Sequence, residues 1–170
     1  QIPPLRYAKS QGHYVITCDY LPKNPGHKLA DEFHNISTTD KESVLQLAQH
    51  LQIDAIVAYA SDPAAPTAAF VSEHMNLPGN PYDSVNTLTR KDLFRKFLEK
   101  NNFNVPKSKS FRHRDKAWNW VRGFDSPVFI KPVDSSGSKG VTKFTKMAAN
   151  ISEFDSSFEH AFSFSSEKKV

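Results

Sequence analysis

A single cysteine in 170 residues excludes an internal disulfide, and Cys18 has no C-x-x-C partner for zinc. It sits in an apolar run, where a lone thiol reads as a buried strand residue. No apolar run approaches the roughly 18–20 residues a membrane-spanning helix needs. The opening Gln-Ile-Pro-Pro-Leu-Arg has neither a charged n-region nor a long apolar stretch, so it does not read as a signal peptide. The seven histidines show no metal-ligand spacing. Gly-x-x-x-x-Gly-Lys-Ser/Thr and Gly-x-Gly-x-x-Gly are both missing, which removes the P-loop and the dinucleotide fingerprint. The basic residues are scattered, with a modest cluster from Lys107 to Lys116 and no stripe of the kind nucleic acid requires. There is no internal repeat and no low-complexity stretch. These absences are compatible with a reducing cytoplasm, and neither a membrane nor nucleic acid is expected as partner.

What is present is an ordinary globular composition: 38% hydrophobic residues, 24% charged, 13 Phe and a mild net charge of +4. Such a balance suits phosphate-bearing small molecules. The chain opens on a helix-like stretch, Ile2 to Gln11, with Pro3 and Pro4 in its first turn and Gly12 as its stop. Short apolar runs at Tyr14–Asp19, Phe33–Ile36 and Asp54–Tyr59 read as strands. They alternate with helical patterns. Asp40 precedes a stripe of Val44, Leu45, Leu47, Ala48 and Leu51, and Ala64–Met75 follows Asp62 as N-cap and Pro63 as first helical residue. Strand–helix alternation predicts an α/β fold with an open parallel sheet, whose ligands sit beyond the carboxyl ends of the strands. Asp19 and Asp62 fall at such ends, and Asp62 is a weak candidate for substrate contact.

Tyr82 to Leu88 reads as a connector. Arg90–Asn101 is an amphipathic helix with Leu93, Phe94, Phe97 and Leu98 on its apolar face. A short strand (Ser108–Phe111), a helix holding Trp118 and Trp120, and the strand at Val128 follow. Ile151–Phe164 closes the pattern as an amphipathic helix with Phe154, Phe158, Ala161 and Phe162 on one side.

Between those last helices lies the most informative segment, Val128 to Val141: Val-Phe-Ile-Lys-Pro-Val-Asp-Ser-Ser-Gly-Ser-Lys-Gly-Val. An apolar strand delivers Lys131 at its end, and Pro132 stops the pairing because it has no N–H to give. Ser135, Ser136, Gly137, Ser138, Lys139 and Gly140 form a small polar loop, and Val141–Phe144 reads as a returning strand. Glycines let backbone N–H groups approach a ligand closely, serines add hydroxyl donors, and lysines add charge. These are the parts of a phosphate clamp at a hairpin tip.

This segment resembles the lysine and glycine-rich lid loop of the ATP-grasp superfamily, ligases that join a carboxylate to an amine or thiol through an acyl-phosphate. The order of segments agrees along the whole chain, and the look is nearest to carbamoyl-phosphate-synthase-like and biotin-carboxylase-like members. The resemblance implies a Rossmann-like pre-ATP-grasp domain over 1–88 without its first strand, a linker helix over 89–106 and an incomplete lid subdomain over 107–170. It implies that Lys131 contacts the nucleotide, that a basic residue opens the linker helix (Arg90 or Lys91, with Lys91 the stronger candidate), and that residues 135–140 close over the β- and γ-phosphates. ATP and Mg2+ are the implied cofactors, with the metal ligands outside these residues. A small carboxylate and an amine are the implied substrates, and a homo-oligomer is compatible. No catalytic residue is assigned. Both ends read as cut, so the chain is expected to be the N-terminal part of a ligase and inactive alone. A non-catalytic nucleotide-binding or interaction module is the alternative.

Overall fold

A computed structural model describes residues 2–145 and 151–170. The chain divides into two compact units, residues 1–86 and 87–170.

The first unit starts with α1 (Ile2–Ser10). Gly12 ends it in the left-handed region at φ +79°, a conformation glycine adopts without a Cβ penalty. The parallel strands β1 (Ile16–Cys18) and β2 (Glu32–His34) pair Ile16 with Glu32 and Cys18 with His34. Asp31 fixes this register: its carboxylate accepts from the Val15 N–H at 2.7 Å and from Lys9 Nζ, while its own N–H donates to the Val15 carbonyl. Asp19 closes the following turn, accepting from the Leu21 N–H and from Asn24. Burial raises the pKa of the Cys18 thiol, and neighbouring Asp19 adds to this.

Helix α2 (Lys41–Leu51) is capped by Asp40, which accepts from the Ser43 N–H at 3.2 Å. Its buried residues Val44, Leu45 and Ala48 meet Phe70 and Val71 of α3 (Ala65–His74), and this is the core of the unit.

Three expectations fail in this unit. Asp54–Tyr59 is no strand: it runs without a sheet partner among the described residues, leaving Val57 77% and Tyr59 50% exposed. An apolar run becomes a strand only where a neighbour accepts its backbone bonds, and none is at hand. Asp62 is not a cap. Residues 61–64 form a turn in which the Ser61 carbonyl accepts from the Ala64 and Ala65 N–H groups, so α3 starts two residues later, with Pro66 in its first turn. The connector at 82–88 is a helix, α4 (Tyr82–Thr89), because Glu73 accepts from the Tyr82 N–H at 2.9 Å and caps it from a distance.

The second unit contains α5 (Lys91–Lys100), α6 (Arg114–Val121), the antiparallel hairpin β3 (Val128–Ile130) and β4 (Thr142–Phe144), and α7 (Ile151–Ser163). In the hairpin Val128 faces Phe144 and Ile130 faces Thr142. Ile130 and Phe144 are buried with Ala117, Val121, Phe154, Phe158 and Ala161. Trp118 stands 5.1 Å from Phe154, and Phe144 meets Phe154 edge-on at 5.5 Å, the offset geometry aromatic quadrupoles favour. Alternation along the strands leaves Phe129 and Lys143, paired to each other, exposed on the other face. Ser108–Phe111, expected as a strand, contributes a single bridge. Phe111 and Val170 exchange both backbone hydrogen bonds, at 2.7 and 2.9 Å. On α5 the expected apolar face is only half covered, with Phe97 48% exposed, and the one buried residue is Asp92.

Candidate phosphate-binding loop

The glycine-rich segment is a loop with a fixed base and an open tip. Pro132 and Val133 are buried directly after β3. Val133 is held from two sides: its carbonyl accepts from the Lys91 N–H at 2.9 Å, and its N–H donates to the Lys169 carbonyl at 3.2 Å. Asp134 ties the base to the turn after α7, accepting from Ser165 Oγ at 2.6 Å, from Ser166 Oγ and from the Glu167 N–H at 2.9 Å. Burial works to raise the Asp134 pKa, but these three donors outweigh it and hold the carboxyl below its ordinary range. Lys91 Nζ donates to the Ser135 carbonyl. The sequence-nominated lysine at the start of α5 and the nominated loop are therefore in contact.

Beyond Ser135 the chain turns back through two adjacent left-handed residues, Gly137 (φ +63°) and Ser138 (φ +58°). The Lys139 N–H returns to the Ser136 carbonyl at 3.3 Å, and Gly137, Ser138 and Lys139 are exposed. Nothing lies within 4 Å of where a Gly137 Cβ would stand. Gly140 differs. It is buried at φ +71°, and a Cβ there would fall 3.0 Å from Phe164 Cβ and 3.2 Å from Pro132 Cδ. Gly140 is thus a packing hinge at the foot of the loop, and Gly137 is the conformational turn at its tip. Lys131 is half-buried at the entrance, with no hydrogen-bond or ion-pair partner among the described residues.

Sequence reasoning missed the support behind this loop. Asp92, with only 3% of its side chain exposed, lies 2.5 Å from Lys169 Nζ and 3.4 Å from Arg90 Nε. Arg90 also reaches Glu167 at 2.9 Å. Burial pushes the Asp92 pKa up, but the Lys169 hydrogen bond and the Arg90 and Lys169 charges prevail and lower it. No local signal marks Asp92, since Lys169 is 77 residues away. Asp62, the weak substrate candidate, is exposed in the turn before α3 of the first unit. Among the described residues no cluster of three or more His, Cys, Asp or Glu is arranged to hold a metal, and no helix is long and apolar enough to cross a membrane.

No family model matches the chain. It is 29% identical over 125 residues to phosphoribosylamine–glycine ligase of Pyrococcus furiosus, covering 70% of this chain and 28% of that protein. It superposes on the L-amino acid ligase of Bacillus licheniformis with a TM-score of 0.68 at 20% identity, over 93% of this chain and 39% of the other. It also superposes on the biotin carboxylase domain of Hydrogenobacter thermophilus 2-oxoglutarate carboxylase, solved with MgADP and bicarbonate, with a TM-score of 0.61 at 18% identity, over 94% of this chain and 37% of that one. The chain has the fold of the ATP-grasp ligases. It spans about 28% of the length of the curated relatives it matches. The hairpin β3–β4 and its loop are the candidate functional element of this fold. The exposed hairpin face carries Phe129 and Lys143, and Lys131 follows Phe129 at the two-residue spacing of a strand.

Proposed function

We propose that this chain is part of an ATP-dependent carboxylate–amine ligase and that its second unit binds the nucleotide phosphates. In this reading residues 1–88 are the pre-ATP-grasp domain, 89–106 the linker helix and 107–170 the lid subdomain. The carrying observation is the contact between Lys91 and Ser135 at the base of a loop that Lys131 opens. The residues suit a triphosphate. Lys131 offers an unengaged ammonium among the described residues, and Lys139 is exposed at the tip. Ser135, Ser136 and Ser138 offer hydroxyls, and the left-handed turn at Gly137–Ser138 is exposed. Mg-ATP, when bound, supplies the phosphoryl group that converts a carboxylate into an acyl-phosphate. The chain's own residues do the rest. Lys131 orients and neutralises phosphate oxygens at the mouth. Lys91 holds the loop base at Ser135 and stands ready to add its charge. Residues 136–139 fold over the phosphates and exclude water, which strengthens each charge contact. Mg2+ ligands lie outside these residues in this reading. Asp62 remains a substrate contact only by proposal.

The test is calorimetric titration of Mg-ATP into the 170-residue chain and its Lys131→Ala variant. Binding in the millimolar range, about 4 kcal/mol, that the variant weakens at least tenfold supports the reading. Equal heats from the two proteins overturn it.

A further inference from the structure

The densest run of positive charge in the sequence, Lys107–Lys116, takes no part in the nucleotide reading. The fold gathers it around a cavity. Lys109, Phe111, Arg112 and His113, on the segment leading into α6, face Lys116 and Trp120 of α6 across an open cleft of about 600 Å3. Lys116 and Trp120 share a face of α6 by their spacing of four, and His113 stands just before its first turn. Among the described residues no carboxylate lines the cleft. Two acids of this unit are engaged by arginines: Asp115 by Arg114 at 2.6 Å, and Glu167 by Arg90 at 2.9 Å. Arg112 is steadied by donating to the Glu167 carbonyl at 2.5 Å, and its other terminal nitrogen stands 3.6 Å from the Glu167 carboxylate. Lys116 and His113 have no side-chain hydrogen bond or ion pair among the described residues, and Lys109 has only the Phe111 ring, 5.8 Å away.

The surroundings reinforce this local charge. Residues 87–170 hold seventeen Lys and Arg against nine Asp and Glu, whereas residues 1–86 hold five against nine. Two lysines without acidic partners among the described residues, with Arg112 beside them shared with Glu167, call for a ligand with at least two negative charges. The two lysines serve as point charges for phosphate oxygens, and Arg112, its terminal nitrogens turned to Glu167, adds charge at the rim. The volume is that of a small-molecule site, within the usual range of about 300–1,000 Å3. Phe111 and Trp120, 5.8 Å apart, give it an apolar wall. An extended nucleic acid would need a stripe of charge, and these groups converge on one hollow.

We propose that Lys109, Arg112, His113 and Lys116 form a binding cleft, separate from the glycine-rich loop, for a small polyanion bearing two or more phosphate groups. The test is calorimetric titration of the 170-residue chain with inorganic tripolyphosphate at low salt, with Trp fluorescence in parallel. Saturable binding is expected, with a fluorescence change that Trp120→Phe removes. The double variant Lys109→Glu/Lys116→Glu should weaken it at least about tenfold, or 1.4 kcal/mol, while Lys100→Glu on α5 leaves it unchanged. Equal affinity in the double variant overturns the proposal, as does an equal loss in Lys100→Glu, which would mean diffuse attraction. Loss in Lys131→Ala without loss in the double variant assigns the anion to the glycine-rich loop and also overturns it. Tighter binding of single-stranded DNA with the same variant dependence would make the surface a nucleic-acid face instead.

Discussion

The two units of this chain are built from similar elements and use their charges in opposite ways. In the first, acids outnumber bases nine to five, and the structural carboxylates are local turn and register devices: Asp31 on Val15 and Lys9, Asp19 on its own turn, Asp40 as a helix cap. In the second, bases outnumber acids seventeen to nine, and a buried Asp92 and a half-buried Asp134 tie distant segments together. Asp92 takes up Arg90 and Lys169, and other cations of the unit stay available. Lys131 and Lys139 stand unengaged among the described residues beside a loop whose base is fixed. Where acids neutralise bases locally, the result is a scaffold. Where a few carboxylates brace a backbone amid surplus base, the result is a fixed loop base with exposed cations beside it, the arrangement on which the proposed anion site rests.

The chromophores allow each unit to be followed alone, because both tryptophans lie in the second and all five tyrosines in the first. The largest expected effect is on the aromatic core. Phe154 is 1% exposed, and Phe154→Ala should cost about 3–5 kcal/mol, read as an earlier Trp-detected midpoint in urea. A tyrosine-detected midpoint that moves equally would mean the units do not unfold independently.

Next comes Asp92→Ala, which leaves Arg90 and Lys169 without their buried partner and should cost about 3 kcal/mol, again on the Trp signal. The same carboxylate gives a pH dependence of known sign. Its folded pKa lies below the unfolded value of about 3.9. Its contribution is therefore complete above that value and is lost as pH falls through the lower folded one. Asp134 acts in the same sense. The Trp-detected stability of Asp92→Ala should therefore vary less with acidification than that of the parent chain. Parallel curves would remove Asp92 from the account.

Gly140→Ala meets both an unfavourable φ and the Phe164 side chain, so it should cost about 2 kcal/mol, and Gly137→Ala, with open space around it, about half that. Equal costs would mean that Phe164 yields. The smallest effect is expected in the first unit. Lys9→Ala breaks a surface ion pair, and its shift of the tyrosine-detected midpoint should be marginal and disappear at high salt.

Much of this was legible in the sequence, and for identifiable reasons. The hairpin at 128–144, its loop, and the helices capped or stopped by Asp40 and Gly12 follow from local rules of proline, glycine and periodicity. The resemblance carried by 131–141 led to the fold. What failed depended on neighbours. Asp54–Tyr59 has strand composition and, among the described residues, no strand beside it. The α4 segment is capped by Glu73, nine residues upstream. Asp62 lost the cap role to a turn built on the Ser61 carbonyl. In the site, the nominated residues of the loop were visible, but the Asp92–Lys169 brace was not, since a contact across 77 residues leaves no periodic trace. Gly140 was nominated as a phosphate contact and is buried against Phe164, which gives it a packing reason of its own.

Amide hydrogen exchange of the 170-residue chain with and without saturating Mg-ATP tests the central claim most directly. The account predicts slowed exchange across Lys131–Val141 and at the start of α5, with the first unit unchanged. Unaltered exchange in that loop, or protection confined to residues 1–86, would contradict it.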